Sequence, residues 1–289
     1  MVLRFFMLWI LFLFVSCTDV ERDDPDDPKS KYYMKGVSSS SSVGAAVPSS
    51  SSQITIIRGP SVDYGGESYK TVKIGTQTWF ARNLNYEVPG SKCGNGRNLV
   101  DKDTETCDTY GRLYNWATAM ALDASCNSGS ISCASQINSE HRGICPSGWH
   151  IPSNADWETL MRFVSPDPGT KLKAAGGWNA FGSAPKGTDD FGFSALPGGG
   201  GFDDGTRGTS KGGSTPTFVF GTVGDRGYWW SASEGEVSWG EPTIDGQHIS
   251  HLDNSAYYCQ MDYNSEDLKM STPIYKDNLY SVRCVQDSP

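Results

Sequence analysis

Cys145-Pro-Ser-Gly-Trp-His-Ile-Pro-Ser-Asn-Ala-Asp-Trp-Glu-Thr-Leu160 is the stretch on which the fold turns. Trp149 and Ile151 alternate with polar residues, which suits a short strand. Pro152 has no N–H to give and stops the pairing. Ser153 is a good N-cap, and Asp156, three residues on, can reach back to the cap backbone as the Glu of a capping box does. Trp157, Leu160, Met161 and Val164 then share one helical face that needs a sheet to cover it. A cysteine just before such a strand can fasten it to something distant, and the rest of the chain has to supply the partner.

The chain has 289 residues. Arg4 precedes an apolar run from Phe5 to Val15, then Ser16 and Cys17. The run is shorter than the ~20 residues that span a bilayer, and its layout is that of a secretory signal. Phe14-Val-Ser-Cys17 resembles a bacterial lipobox, with Phe14 where Leu is usual. In a lipobox the thiol is acylated, so residues 1–17 are expected to be a signal peptide and Cys17 an outer-membrane lipid anchor. Thr18, in place of Asp, favours the outer membrane by the same resemblance. Residues 18–53 read as a tether. Glu21 to Asp27 is acidic, Ser38 to Ser52 is nearly all small residues, and neither can form a core. A coil of that length reaches roughly 30–35 Å.

Removing Arg4 from the 24 basic residues leaves 23 against 33 acidic ones, a balance of −10. Nucleic acid would be repelled by such a surface. Seven cysteines follow Cys17: Cys93, Cys107, Cys126, Cys133, Cys145, Cys259 and Cys284. In an exported protein they read as disulfides. None forms a Cys-x-x-Cys pair, six can join in fifteen ways, and one is left over.

The domain is expected over residues 54–289. Tyr69 to Phe80 reads as two short strands around Gly75-Thr76. Tyr110 to Leu122, with Leu113, Trp116, Ala117 and Met120 at helical spacing, reads as a first helix, and a second starts near Ser153. After Val164, glycines separate aromatic runs such as Gly227-Tyr-Trp-Trp230 and Ala256-Tyr-Tyr258. Leu279 to Val285 reads as a last strand. Helices first and short strands after, with long loops, give an α+β class.

Catalytic patterns are scarce. The glycine-rich Leu196 to Gly205 lacks the Lys-Ser/Thr of a phosphate cradle, and no Gly-x-Ser-x-Gly elbow occurs. His248, His251 and Asp253 read as a solvated polar loop. Glu241, Asp245, Asp253 and Asn254 offer hard oxygen ligands from neighbouring loops, as calcium requires. No other cofactor is indicated. Exposed aromatic rings would suit stacking on sugars.

Three blocks together resemble the Fibrobacter succinogenes major paralogous domain: Val72 to Leu84, Cys107 to Met120 and Cys145 to Leu160. Gly227 to Glu234 and Ser281 to Val285 match its ending. Trp116, Ala117, Cys145, Gly148 and the Ile-Pro-x-x-x-x-Trp-Glu helix start are also similar to the C-type lectin fold. That resemblance implies a two-helix, C-type-lectin-like domain with a Cys145–Cys284 bridge, and local pairs Cys93–Cys107 and Cys126–Cys133. C-type lectins bind calcium and sugar through Glu-Pro-Asn and Trp-Asn-Asp, where this chain has Glu241-Pro242-Thr243 and Asp253-Asn254. The helix entry and the ending Val-Arg-Cys-Val are similar to formylglycine-generating sulfatase-modifying enzymes, whose catalysis needs a C-terminal cysteine pair. Only Cys259 and Cys284 stand there, and the lectin resemblance assigns Cys284 to Cys145. The expectation is a non-enzymatic surface lipoprotein that binds polysaccharide or another surface component. A sulfatase-modifying enzyme and a purely structural surface protein are the alternatives.

Overall fold

The computed structural model describes residues 55–94, 99–100, 104–127, 131–180, 182, 186–203, 218–235 and 255–288. The signal, Cys17 and the whole of the tether lie outside these residues, as do His248 and His251. Glu241, Asp245, Asp253 and Asn254 lie outside them too.

The N-terminal half contains β1 (Ile57–Tyr64), β2 (Glu67–Ile74), β3 (Gln77–Phe80), β4 (Cys93–Gly94) and β5 (Leu99–Val100). It continues with α1 (Thr104–Tyr110), β6 (Leu113–Tyr114), α2 (Trp116–Ala119), β7 (Trp149–His150) and α3 (Asn154–Val164). Next come α4 (Pro168–Leu172), β8 (Gly200–Asp203), β9 (Phe218–Gly221) and β10 (Arg226–Glu234). The chain closes with β11 (Ser255–Asp262), β12 (Leu268–Tyr275), β13 (Tyr280–Ser281) and β14 (Val285–Gln286).

Two five-stranded sheets dominate, in the orders β1-β2-β3-β14-β7 and β12-β11-β10-β13-β6. Val72, Ile74 and Trp79 of the first sheet share one apolar cluster with Trp229, Cys259 and Met261 of the second. Trp157, Leu160 and Val164 of α3 complete it. A second cluster joins Tyr69, Phe80 and Trp149 to Trp230, Ala232 and Tyr280, with Trp116 of α2 among them.

This corrects the expected α+β, C-type-lectin-like class with two helices: the chain is closer to a β-sandwich. Among the described helices only α3 exceeds two turns. The first expected helix shrinks to the single turn of α2. Leu113 and Tyr114 instead form β6, paired with Ser281 and Tyr280. Asn115 then caps α2 by accepting from the Thr118 N–H at 2.9 Å, and Ala121, at φ 52°, lies beyond its end. The helical spacing of Leu113, Trp116, Ala117 and Met120 reflects burial of two different elements. The aromatic runs of the second half are not isolated between loops. They belong to β10 and β11, strands of nine and eight residues, as aromatic side chains favour on a packed sheet.

Two local expectations hold. The β2–β3 hairpin turns at Gly75-Thr76, with Ile74 opposite Gln77 and Gly75 at φ 61°, a conformation that glycine adopts without strain. Ser153 caps α3 in a full capping box with Asp156. The expected last strand divides in two: β13 runs parallel to β10 in the second sheet, and β14 lies between β3 and β7 in the first.

Between β13 and β14 the chain crosses from one sheet to the other, and Arg283 is buried at the crossing. Its Nη2 and Nε donate to Asn83 Oδ1 at 2.6 and 3.1 Å, and Nη1 donates to the Phe193 carbonyl. The same Asn83 oxygen accepts from Trp229 Nε1 at 2.8 Å. Asn83 Nδ2 donates to the Tyr110 carbonyl at 2.8 Å. Asn83→Ala would strand a buried guanidinium and a buried indole N–H. A loss of about 3 kcal/mol or more is expected in urea unfolding; an unchanged midpoint would show that these donors find other acceptors.

Candidate functional site

A cleft of about 840 Å³ opens between the β2–β3 hairpin, the N-terminus of α3 and the C-terminal segment. His150, Asp156 and Asp287 stand together in its lining, with Gln77 and Glu140 beside them. Each is positioned by local chemistry. His150 lies on β7, paired with Val285. Asp156 is the third helical residue of α3, and its carboxylate accepts the Ser153 N–H at 2.8 Å and the Ser153 hydroxyl at 2.5 Å. Asp287 follows β14, and its N–H donates to the Gly148 carbonyl at 3.0 Å.

The His150 side chain is only 4% exposed. Its Nδ1 lies 2.9 Å from Asp287 Oδ1, and its Nε2 lies 3.5 Å from Asp156 Oδ2. Nε2 has no hydrogen-bond partner, and the same holds for the buried Oε1 of Gln77. Gln77 Nε2 donates to the Asp156 backbone carbonyl at 3.1 Å. Burial disfavours the imidazolium of His150, but Asp156 and Asp287 outweigh it and hold the group above its ordinary value. Burial also works against the Asp156 carboxylate, yet His150 and Ser153 hold it below the usual range.

Serine, histidine and aspartate are the residue types of a hydrolytic triad, but here their order differs. A triad places the imidazole between serine and carboxylate, so that it can take the hydroxyl proton. In this cleft Asp156 stands between Ser153 and His150, and the Ser153 hydroxyl serves as a helix cap. The arrangement is therefore not that of a Ser-His-Asp triad.

A smaller pocket, about 240 Å³, shares Ser139 and Ser153 with the cleft and reaches Glu234. Glu234 accepts from Ser132 Oγ at 2.5 Å and from the N–H groups of Cys133 and Ala134 at 3.1 and 2.8 Å. It also pairs with the buried Lys276, whose ammonium lies 4.4 Å from the centre of the Trp116 ring. Burial alone would raise Glu234, but Lys276 and the surrounding donors lower it. This pair ties the Cys126–Cys133 loop to β10.

The disulfides are Cys93–Cys107, Cys126–Cys133 and Cys145–Cys284, the pairing implied by the lectin resemblance. Cys259 is a free thiol, buried and pushed well up by that burial. The expected ligand set Glu241, Asp245, Asp253 and Asn254, and the expected lipidation site Cys17, fall outside the described residues. Among the described residues no group of three His, Cys, Asp or Glu stands close enough to hold a metal ion.

In the sequence Asp156 is marked only as a cap residue, and nothing there points to the cleft. His150 stood six residues away in the same stretch with nothing to mark it, and Asp287 is 137 residues from His150. Only the pairing of β7 with β14 brings them together.

The raised value of His150 makes the cleft sensitive to pH. A histidine that gains carboxylate partners on folding contributes its full stability below its unfolded value of about 6.5. That contribution fades as the pH rises through the higher native value. Thermal melts should therefore show the wild-type chain losing stability as the pH rises above about 6.5, and His150→Gln should flatten this dependence. Parallel profiles for the two proteins would exclude a coupled histidine.

No curated protein and no solved structure matches the chain. The Fibrobacter succinogenes major domain matches residues 72–286. That span runs from the middle of β2 to the end of β14, and it includes Gln77, His150, Asp156 and all three disulfides. The chain therefore belongs to the Fibrobacter succinogenes major domain family.

Proposed function

We propose that this chain is a lipid-anchored protein of the outer membrane whose folded domain binds a neutral, hydroxyl-rich polymer, such as a surface polysaccharide, without turning it over. The carrying observation is the cleft itself. Gln77 Oε1 is buried there without a partner, and His150 Nε2 has only the Asp156 carboxylate, at 3.5 Å; a buried polar group left unsatisfied costs about 1–3 kcal/mol. Sugar hydroxyls both donate and accept, so one ligand class can meet an amide oxygen, an imidazole nitrogen and the carboxylates beside them.

The carboxylates of Glu140, Asp156 and Asp287 disfavour an anionic polymer, which selects for an uncharged one. The non-enzymatic part of the reading draws support from the thiols and from Ser153. Cys284 is joined to Cys145 and Cys259 is buried, which leaves no accessible C-terminal cysteine pair for sulfatase-modifying chemistry. Ser153 is held by its cap. Anchoring rests on the lipobox-like Phe14 to Cys17 and the Ser-rich tether, an arrangement that gives a binding head reach from a membrane.

The test is a pull-down of the purified chain carrying Cys17→Ser on insoluble neutral polysaccharides and on polygalacturonate, with and without calcium. Retention on a neutral polymer but not on polygalacturonate is expected. Gln77→Ala should weaken it about tenfold, the scale of one or two lost hydrogen bonds. No retention on any neutral polymer would sink the polysaccharide reading. Retention abolished by a chelator would move the site to the acidic stretch that holds Glu241 and Asp253.

A further inference from the structure

At the rim of the cleft one aromatic ring stands apart from the core. Phe163 is 54% exposed, against 39% for Tyr275, the next most exposed ring among the described residues. Every described tryptophan is buried or half-buried. Phe163 follows Thr159 by one helical turn, about 6 Å along α3 and on the same side, and Thr159 lines the cleft. The ring also lies against the hairpin turn: a Cβ added to Gly75 would come within 2.8 Å of Phe163 Cδ2. Thr76, the next residue of that turn, lines the cleft as well. Phe191 meets Phe163 edge-on, with centroids 6.0 Å apart at 66°. The ring is thus held in place by a rigid turn and a neighbouring ring, while more than half of it remains in solvent.

We propose that Phe163 is the stacking subsite of this cleft, taking the apolar C–H face of one sugar ring while Gln77, Asp156 and His150 bond hydroxyls of the polymer beyond it. The inference rests on the polysaccharide reading and sharpens it: the ligand is a neutral pyranose polymer with a flat apolar face, bound partly by ring stacking. The two requirements are adjacent on one surface. A flat ring is supplied by α3 at its exposed turn, and fixed hydrogen-bonding groups are supplied by the capped start of the same helix. Stacking contributes where the ring is pre-positioned and loses little freedom on binding, which the Gly75 turn and Phe191 provide.

The experiment is titration of the whole chain, carrying Cys17→Ser, with a soluble neutral β-glucan. Phe163→Ala is expected to weaken binding about tenfold, equivalent to about 1.4 kcal/mol. Phe163→Leu should weaken it similarly, since it keeps apolar area but not the flat ring, and Phe163→Trp should retain or strengthen it. Full binding by Phe163→Leu would reduce the residue to a packing role and overturn the proposal. If the wild type binds, Gln77→Ala loses binding and Phe163→Ala does not, the stacking subsite fails while the cleft reading stands. If the wild type does not bind, both fail together. Melting temperatures of all three Phe163 variants close to the wild type would exclude unfolding as the cause of lost binding, because the ring is largely exposed.

Discussion

The buried guanidinium of Arg283 is the constraint around which the two sheets are arranged. A cation in an apolar interior is stable only when its donors are met, and here they are met by the Asn83 side chain and two carbonyls, those of Phe80 and Phe193. The plane of the guanidinium also lies over the Phe193 ring at 4.4 Å. These partners come from the end of β3 and from the long connection before β8. Asn83 in turn holds Trp229 of β10 and the carbonyl of Tyr110. One polar cluster therefore joins both sheets and the segment leading to β6, and it does so where the chain must cross between them.

The cleft depends on that crossing. Once Tyr280–Ser281 has paired with β10 and β6, the next residues can reach the first sheet only through the core. The Cys145–Cys284 bridge spans 139 residues, and by loop-closure entropy such a bridge stabilises the fold by ~5 kcal/mol. It also sets Val285 between Trp79 and His150. Asp287 then lies beside the imidazole. The hydrogen-bonding groups of the cleft and the disulfide framework are thus one construction, built on the pairing of β14 with β7.

Other features of the site come from shorter-range rules. The capping box of α3 fixes the Asp156 carboxylate through Ser153, so the group that faces His150 is already oriented by the helix start. The glycine turn of the hairpin presents Gln77 from the other side and gives Phe163 room to lie close. Charge sets the character of the cleft: carboxylates outnumber cations along its lining, and the one buried imidazole is held protonated by its two acidic neighbours to a higher pH than usual.

Local physical chemistry in the sequence was sufficient for the hairpin at Gly75-Thr76, the capping box at Ser153 and the buried face Trp157, Leu160 and Val164. Each depends on residues within a few positions of one another, so a short stretch carries the whole signal. The family was legible for a similar reason, since several such blocks occur in order along the chain. Fold class was not legible. Whether Leu113 and Trp116 belong to one helix or to a strand and a turn depends on Tyr280 and Ser281, more than 160 residues away, and the aromatic runs could be recognised as long strands only once paired. The cleft was hidden for the same cause: His150 and Asp287 carry no pattern in themselves, and meet because the Cys145–Cys284 disulfide and a buried arginine bring the end of the chain back to β7.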